Sequence, residues 1–168
     1  MKQKSTIKYL TFIFTIVILS IFLVGCQEGN NEESINVTTQ SVNENVISDE
    51  YEYNLREYTD QLGEYMAEFN MYVRNREMKS DNAIRLYKEG IVFASENMNL
   101  NPQTKADMVL DEYMFNANYY FKQLFEYTLK AINTNDNTYI RLGEDALANY
   151  NQEISIVREL LVKYGVNN

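Results

Sequence analysis

The chain of 168 residues contains no histidine, one cysteine, one proline and six glycines. Without histidine, both the commonest metal ligand and the usual general base are missing. A two-metal bundle site built on Glu-x-x-His pairs therefore cannot form. One cysteine excludes an intramolecular disulfide, so stability has to come from packing. No Gly-x-Ser-x-Gly turn, phosphate-cradling glycine loop or dinucleotide fingerprint occurs. Serine, tyrosine or lysine would have to replace histidine in any nucleophilic site. These absences argue against an enzyme, and no cofactor or metal is expected. Basic residues are also few, with 15 Lys and Arg against 24 Asp and Glu for a net charge of −9. Such a balance repels phosphate backbones, so nucleic acid is a poor partner.

What is present begins with an address. Lys2, Lys4 and Lys8 form a basic start. Tyr9 to Val24 is an apolar run broken only by Thr11, Thr15 and Ser20. This order reads as a secretory signal, and the run is short of the roughly 20 residues that span a bilayer comfortably. It ends in Leu23-Val24-Gly25-Cys26, which closely resembles the lipobox of bacterial lipoproteins. The resemblance implies a diacylglyceryl group on the Cys26 thiol, cleavage after Gly25 and Cys26 as the new N-terminus. It also implies a lipid anchor in the cell membrane with the chain on the extracytoplasmic face. Each buried CH₂ adds about 0.8 kcal/mol, so two or three acyl chains hold firmly where one does not. Cleavage would remove three of the 15 basic residues and none of the 24 acids, leaving −12. The Asn- and Ile-rich composition suggests a Gram-positive source.

Residues 27–47 are rich in Asn, Glu, Ser and Thr and lack aromatics. This stretch buries too little apolar surface to offset ordering and reads as a disordered tether. Its root-mean-square reach would be near 25 Å, and its full extension under about 75 Å. The expected domains are thus a signal at 1–25, a lipidated cysteine and linker at 26–47, and a folded region at 48–168.

Four helical patterns follow. Ser48 can cap the first, with Asp49 and Glu50 in its first turn. Tyr51, Leu55, Tyr58, Leu62, Tyr65, Phe69 and Tyr72 then recur at steps of four and three, continuing to about Met78. With four tyrosines among them, this face is expected to be half-buried. After a turn at Lys79-Ser80-Asp81-Asn82, a shorter helix uses Ile84, Tyr87, Ile91, Ala94 and Met98, widened by Ala83, Leu86 and Phe93. Asn101 and Pro102 suit the N-cap and first turn of a third helix. Its main face holds Ala106, Leu110, Tyr113, Ala117, Tyr120, Leu124 and Ala131, ending near Ile132. A turn at Asn133-Thr134-Asn135-Asp136 leads to the fourth, on Ile140, Gly143, Leu147, Tyr150, Ile154, Val157, Leu161 and Tyr164. Gly165 offers a left-handed cap, with Val166 folding back on Leu161. The longest helices would run about 30 residues, or roughly 45 Å. Short connections favour antiparallel neighbours, so the expected fold is all-α, an up-down antiparallel bundle of three or four helices. By pattern alone, this region loosely resembles uncharacterised helical-bundle lipoproteins of Gram-positive bacteria, a likeness that transfers no functional residue.

Three features are candidates for more than packing. Glu57, Asp60, Glu64 and Glu68 line one flank of the first helix and read as a solvated face. Gly63, Gly90 and Gly143 lie inside helices, where each costs about 1 kcal/mol relative to alanine, and close helix approach is the expected reason. The third helix is apolar on more than one side: Met114 and Phe121 flank its main face, while Met108, Phe115 and Tyr119 occupy another. Either this helix is enclosed by all the others, or Phe115 and Tyr119 belong to a Met- and aromatic-rich surface that binds a partner. A protein-binding module anchored to the membrane is the leading functional reading. The alternatives are a self-associating envelope protein and a carrier of small apolar ligands.

Overall fold

The computed structural model describes residues 45–166 apart from residue 97. The signal, the lipobox with Cys26 and the tether up to residue 44 lie outside the described residues. The described residues form four helices: α1 (Asp49–Asn75), α2 (Asp81–Glu96), α3 (Lys105–Thr134) and α4 (Asn137–Lys163). Among the described residues there is no strand. Nor is any helix long and apolar enough to cross a membrane.

Cross-helix contacts give the topology. Phe69 meets Tyr87 and Tyr58 stacks on Phe93, so α1 and α2 run antiparallel. Tyr87 meets Phe125, and the Asn118 amide donates to the Ala94 carbonyl at 2.8 Å, which reverses α3 against α2. Phe121 meets Tyr150 and Tyr127 stacks on Tyr139, which reverses α4 against α3. The result is the expected up-down bundle, with α1 parallel to α3. Backbones approach most closely between α3 and α4. By contrast, α1 reaches its neighbours chiefly through large rings. Phe125 lies at the centre of that packing, with Phe121, Tyr87 and Phe69 at centroid distances of 4.6, 5.5 and 5.6 Å. Full burial of each such side chain is worth roughly 1.5–3 kcal/mol.

Helix ends follow local chemistry, sometimes against the sequence reading. Ser48 caps α1 as expected, its hydroxyl accepting from the Tyr51 N–H at 3.3 Å. However, α1 stops at Asn75 rather than near Met78. Arg76 adopts left-handed φ (59°), and Glu77 N–H closes on the Tyr72 carbonyl at 2.9 Å. Ser80 then caps α2 through the Ala83 N–H. Nor does α3 begin at Asn101-Pro102. Thr104 and Asp107 cap it reciprocally, each side chain accepting from the other's N–H at 3.0 Å. That pairing satisfies two donors where Asn101 would satisfy one, and Asn101 takes a left-handed turn instead. At the far end, Gly165 takes φ 86° and Val166 N–H reaches the Leu161 carbonyl at 3.0 Å, as read from the sequence.

Several buried faces are rotated from their expected seams. In α1, Tyr51 and Tyr58 are fully buried while Tyr65 and Tyr72 are half-buried, and Met66 joins the core. In α2, Ala83, Leu86, Gly90 and Phe93 line the core beside Tyr87 and Ala94, whereas Ile84 and Ile91 are half-exposed and Met98 lies beyond the helix. Gly90 explains the shift, because a Cβ there would overlap the Phe125 ring. Of the three helical glycines, only Gly90 is a close approach. Gly143 would make ordinary contacts, and nothing lies within 4 Å of a Cβ on Gly63. Ile47, expected at the end of the tether, is buried and belongs to the folded unit.

Candidate binding face on the third helix

In α3 the flank beside the main face and the flank of Met108, Phe115 and Tyr119 separate into core and surface. Asp107, Leu110, Met114, Ala117, Asn118, Phe121, Leu124 and Phe125 are buried. Met114 and Phe121 replace Tyr113 and Tyr120 at the heart of the inner face, the two tyrosines being half-buried. On the outer side, Phe115 is 62% exposed, Tyr119 52% and Met108 58%. The expectation that α3 is enclosed on all sides therefore fails. Its aromatic flank is a surface.

Inner-face polar groups hold α3 in this rotation. The Tyr58 hydroxyl donates to Asn118 Oδ1 at 2.5 Å, while the same amide's nitrogen donates to α2. At the start of the helix, Asp107 is completely buried. Its carboxylate accepts from Ser48 N–H (3.0 Å), Ser48 Oγ (2.7 Å), Gln103 N–H (3.0 Å) and Thr104 N–H (3.0 Å). Burial pushes this carboxyl up, but the four hydrogen bonds together outweigh that and keep its pKa below the ordinary 3.8. Asp107 is thus a tie between α1 and α3. Its acceptor capacity is committed to the fold. Nearby Asp111 is pushed up by burial, and the fully buried Tyr51 hydroxyl is driven up by burial and then by Asp111.

Other candidates lack comparable geometry. Glu57, Asp60, Glu64 and Glu68 all face solvent. Among the described residues, no group of three or more acidic side chains could hold a metal ion. An open groove of about 370 Å³ is lined by Tyr65, Lys88, Glu89, Val92 and Phe93, and a more polar one of about 250 Å³ lies beside Asn54 and Gln61. Both open to solvent and neither is an enclosed apolar cavity.

The outer face of α3 also carries charge. Glu112 is exposed between Met108 and Phe115, and Lys122 lies half-buried one turn beyond Tyr119. The ion pairs among the described residues join Arg56 to Glu52 and Arg85 to Glu89, so neither Glu112 nor Lys122 is paired within the domain. Sequence reasoning found Phe115, Tyr119 and Met108 but missed Glu112 and Lys122 as parts of the same stripe. Their spacing of ten residues was the available signal. No protein-family model, curated protein or solved structure matches this chain, so no role is carried over from a relative.

Proposed function

We propose that this protein is a lipid-anchored, extracytoplasmic binding module that engages a protein partner through the outer face of α3. The anchor reading rests on Leu23-Val24-Gly25-Cys26 and its apolar leader. The binding reading rests on one observation: Phe115 and Tyr119 present large apolar surface to solvent from a helix whose opposite side is fully packed. Tyrosine, phenylalanine and methionine on one patch are the composition favoured at protein interfaces. We assign binding rather than catalysis because the chain has no histidine. Asp107, its most buried carboxylate, is also saturated by hydrogen bonds that hold two helices together.

A photoreactive residue placed at Phe115 in the membrane-bound protein tests this. It should capture a recurrent partner, whereas the same probe at exposed Arg158 should not. Phe115→Asp should abolish capture at Tyr119 with an unchanged melting temperature. Equal capture from both faces would defeat the assignment. For the anchor, Cys26→Ala should release the protein from the membrane fraction, and retention would contradict lipidation at that residue.

A further inference from the structure

The outer face of α3 has a regularity beyond its exposure. Met108, Glu112, Phe115, Tyr119, Lys122 and Glu126 follow at steps of four, three, four, three and four, the spacing of a helix–helix seam. The domain's own core uses another stripe of α3, which leaves Met108, Glu112, Phe115 and Tyr119 exposed, while Lys122 and Glu126 are half-buried and Glu126 accepts from the Gln123 amide. We infer that the partner of this seam is a second copy of this chain, docked α3 against α3, antiparallel, about a two-fold axis at the level of Ala117.

The register carries the inference, which rests on the reading of this face as a binding surface. With the axis level with Ala117, Phe115 lies opposite the second copy's Tyr119. Glu112 lies opposite its Lys122, and Met108 packs on the methylene stem of its Glu126. Two-fold symmetry repeats each pair, giving two aromatic layers and two opposite-charge layers. Neither neighbouring register does this. One seam step in one direction sets Phe115 against Glu112 and Lys105 against Lys122. One step in the other sets Phe115 against Glu126 and Tyr119 against Lys122. A parallel pair places Glu112 on Glu112 and Lys122 on Lys122. Of these arrangements, the one centred on Ala117 sets both aromatic residues and both charges of the stripe against complementary partners, as an interface between identical copies requires.

Scale favours a second copy held on the same surface. Three large apolar side chains per protomer fall short of the roughly 800 Å² per partner of a standard stable interface. Two acidic domains also repel at long range. Pairing is therefore weak in free solution and is strengthened when anchors confine both copies to one membrane, by raising their effective concentration.

Carbodiimide, which joins a carboxylate to an amine it touches, reads the register directly in the full chain reconstituted into liposomes. Glu112 and Lys122 are ten residues apart on one helix, roughly 15 Å, too far to join within a chain. A Glu112–Lys122 isopeptide between isotopically light and heavy copies is the expected product. With pairing read by energy transfer between labelled copies, since each single variant also removes a carbodiimide partner, Glu112→Lys and Lys122→Glu should each lower dimer formation about tenfold by setting like charges face to face, and the double exchange should restore it. A chain that stays monomeric at every protein-to-lipid ratio overturns the self-pairing, as does a double exchange that fails to restore. If capture of a different protein at Tyr119 still depends on Phe115, the binding face stands and only the identity of its partner changes. If Phe115→Asp alters neither readout, both readings fall.

Discussion

Asp107 and Met108 are adjacent in sequence, yet one is fully buried and the other is 58% exposed. The same division runs along α3. Phe121 and Phe125 lie within a cluster of rings, while Phe115 and Tyr119, of like size, lie on the surface. What separates the faces is what stands opposite. Inside are a glycine that admits Phe125, an amide network through Asn118 and a carboxylate tie through Asp107. Outside, the domain itself supplies none of these. Hydrophobicity brings aromatic residues to a helix, and neighbouring helices decide whether they are core or contact surface.

The sharpest way to break this comparison is a matched truncation. Phe125→Ala should destabilise the domain by about 3–5 kcal/mol, because the ring leaves a cavity among other rings. Phe115→Ala should stay within about 0.5 kcal/mol by urea denaturation. Equal losses would mean the outer face is also packed. Next in size is Asp107→Ala, which removes the acceptor shared by Ser48, Gln103 and Thr104, leaves the buried Thr104 N–H unpaired and should cost about 2–3 kcal/mol. The folded pKa of Asp107 lies below its ordinary 3.8, so the charged carboxylate stabilises the fold above that value. That contribution should fade as pH falls below 3.8 through the depressed folded pKa. Asp107→Ala should therefore flatten the acid limb of the stability curve, and an unaltered limb would remove Asp107 from the tie.

Smallest is a pair of glycine substitutions. Gly90→Ala should cost about 1–3 kcal/mol because the new methyl must displace Phe125. Gly63→Ala meets open space and should stabilise by up to about 1 kcal/mol. Matched effects in thermal denaturation would show that Phe125 moves aside easily.

How far all this could be read beforehand depends on distance along the chain. Helix order and two of the caps were legible because Ser48 and Gly165 act on their own turns. The Thr104–Asp107 box was equally local, but the nearby Asn101-Pro102 offered a competing start. Face assignment was legible for most seam positions, Leu55, Leu62, Leu110, Ala117, Leu147 and Val157 among them, but not where a neighbouring helix shifts the buried face. In α2, Ile84 and Ile91 outrank Gly90 in hydrophobicity, yet the ring of Phe125, on another helix, makes the glycine the core position. In α3, the spacing sets Met114 and Phe121 beside the main face and Phe115 and Tyr119 on another flank, but whether that flank is covered depends on where the other helices stand. The Ser48–Asp107 tie joins residues 59 positions apart, and periodicity carries no signal of such a pairing.

That tie has a mechanical consequence. A pull on the chain ahead of Ile47 arrives at Ser48, whose amide and hydroxyl are both clipped to Asp107. Tension is therefore shared at that point between α1, which continues the covalent chain, and the first turn of α3, which is held through the two Ser48–Asp107 hydrogen bonds. The clip acts as a strain relief at the cable's point of attachment, and the bundle beyond it can keep its shape while the chain ahead of it is stretched.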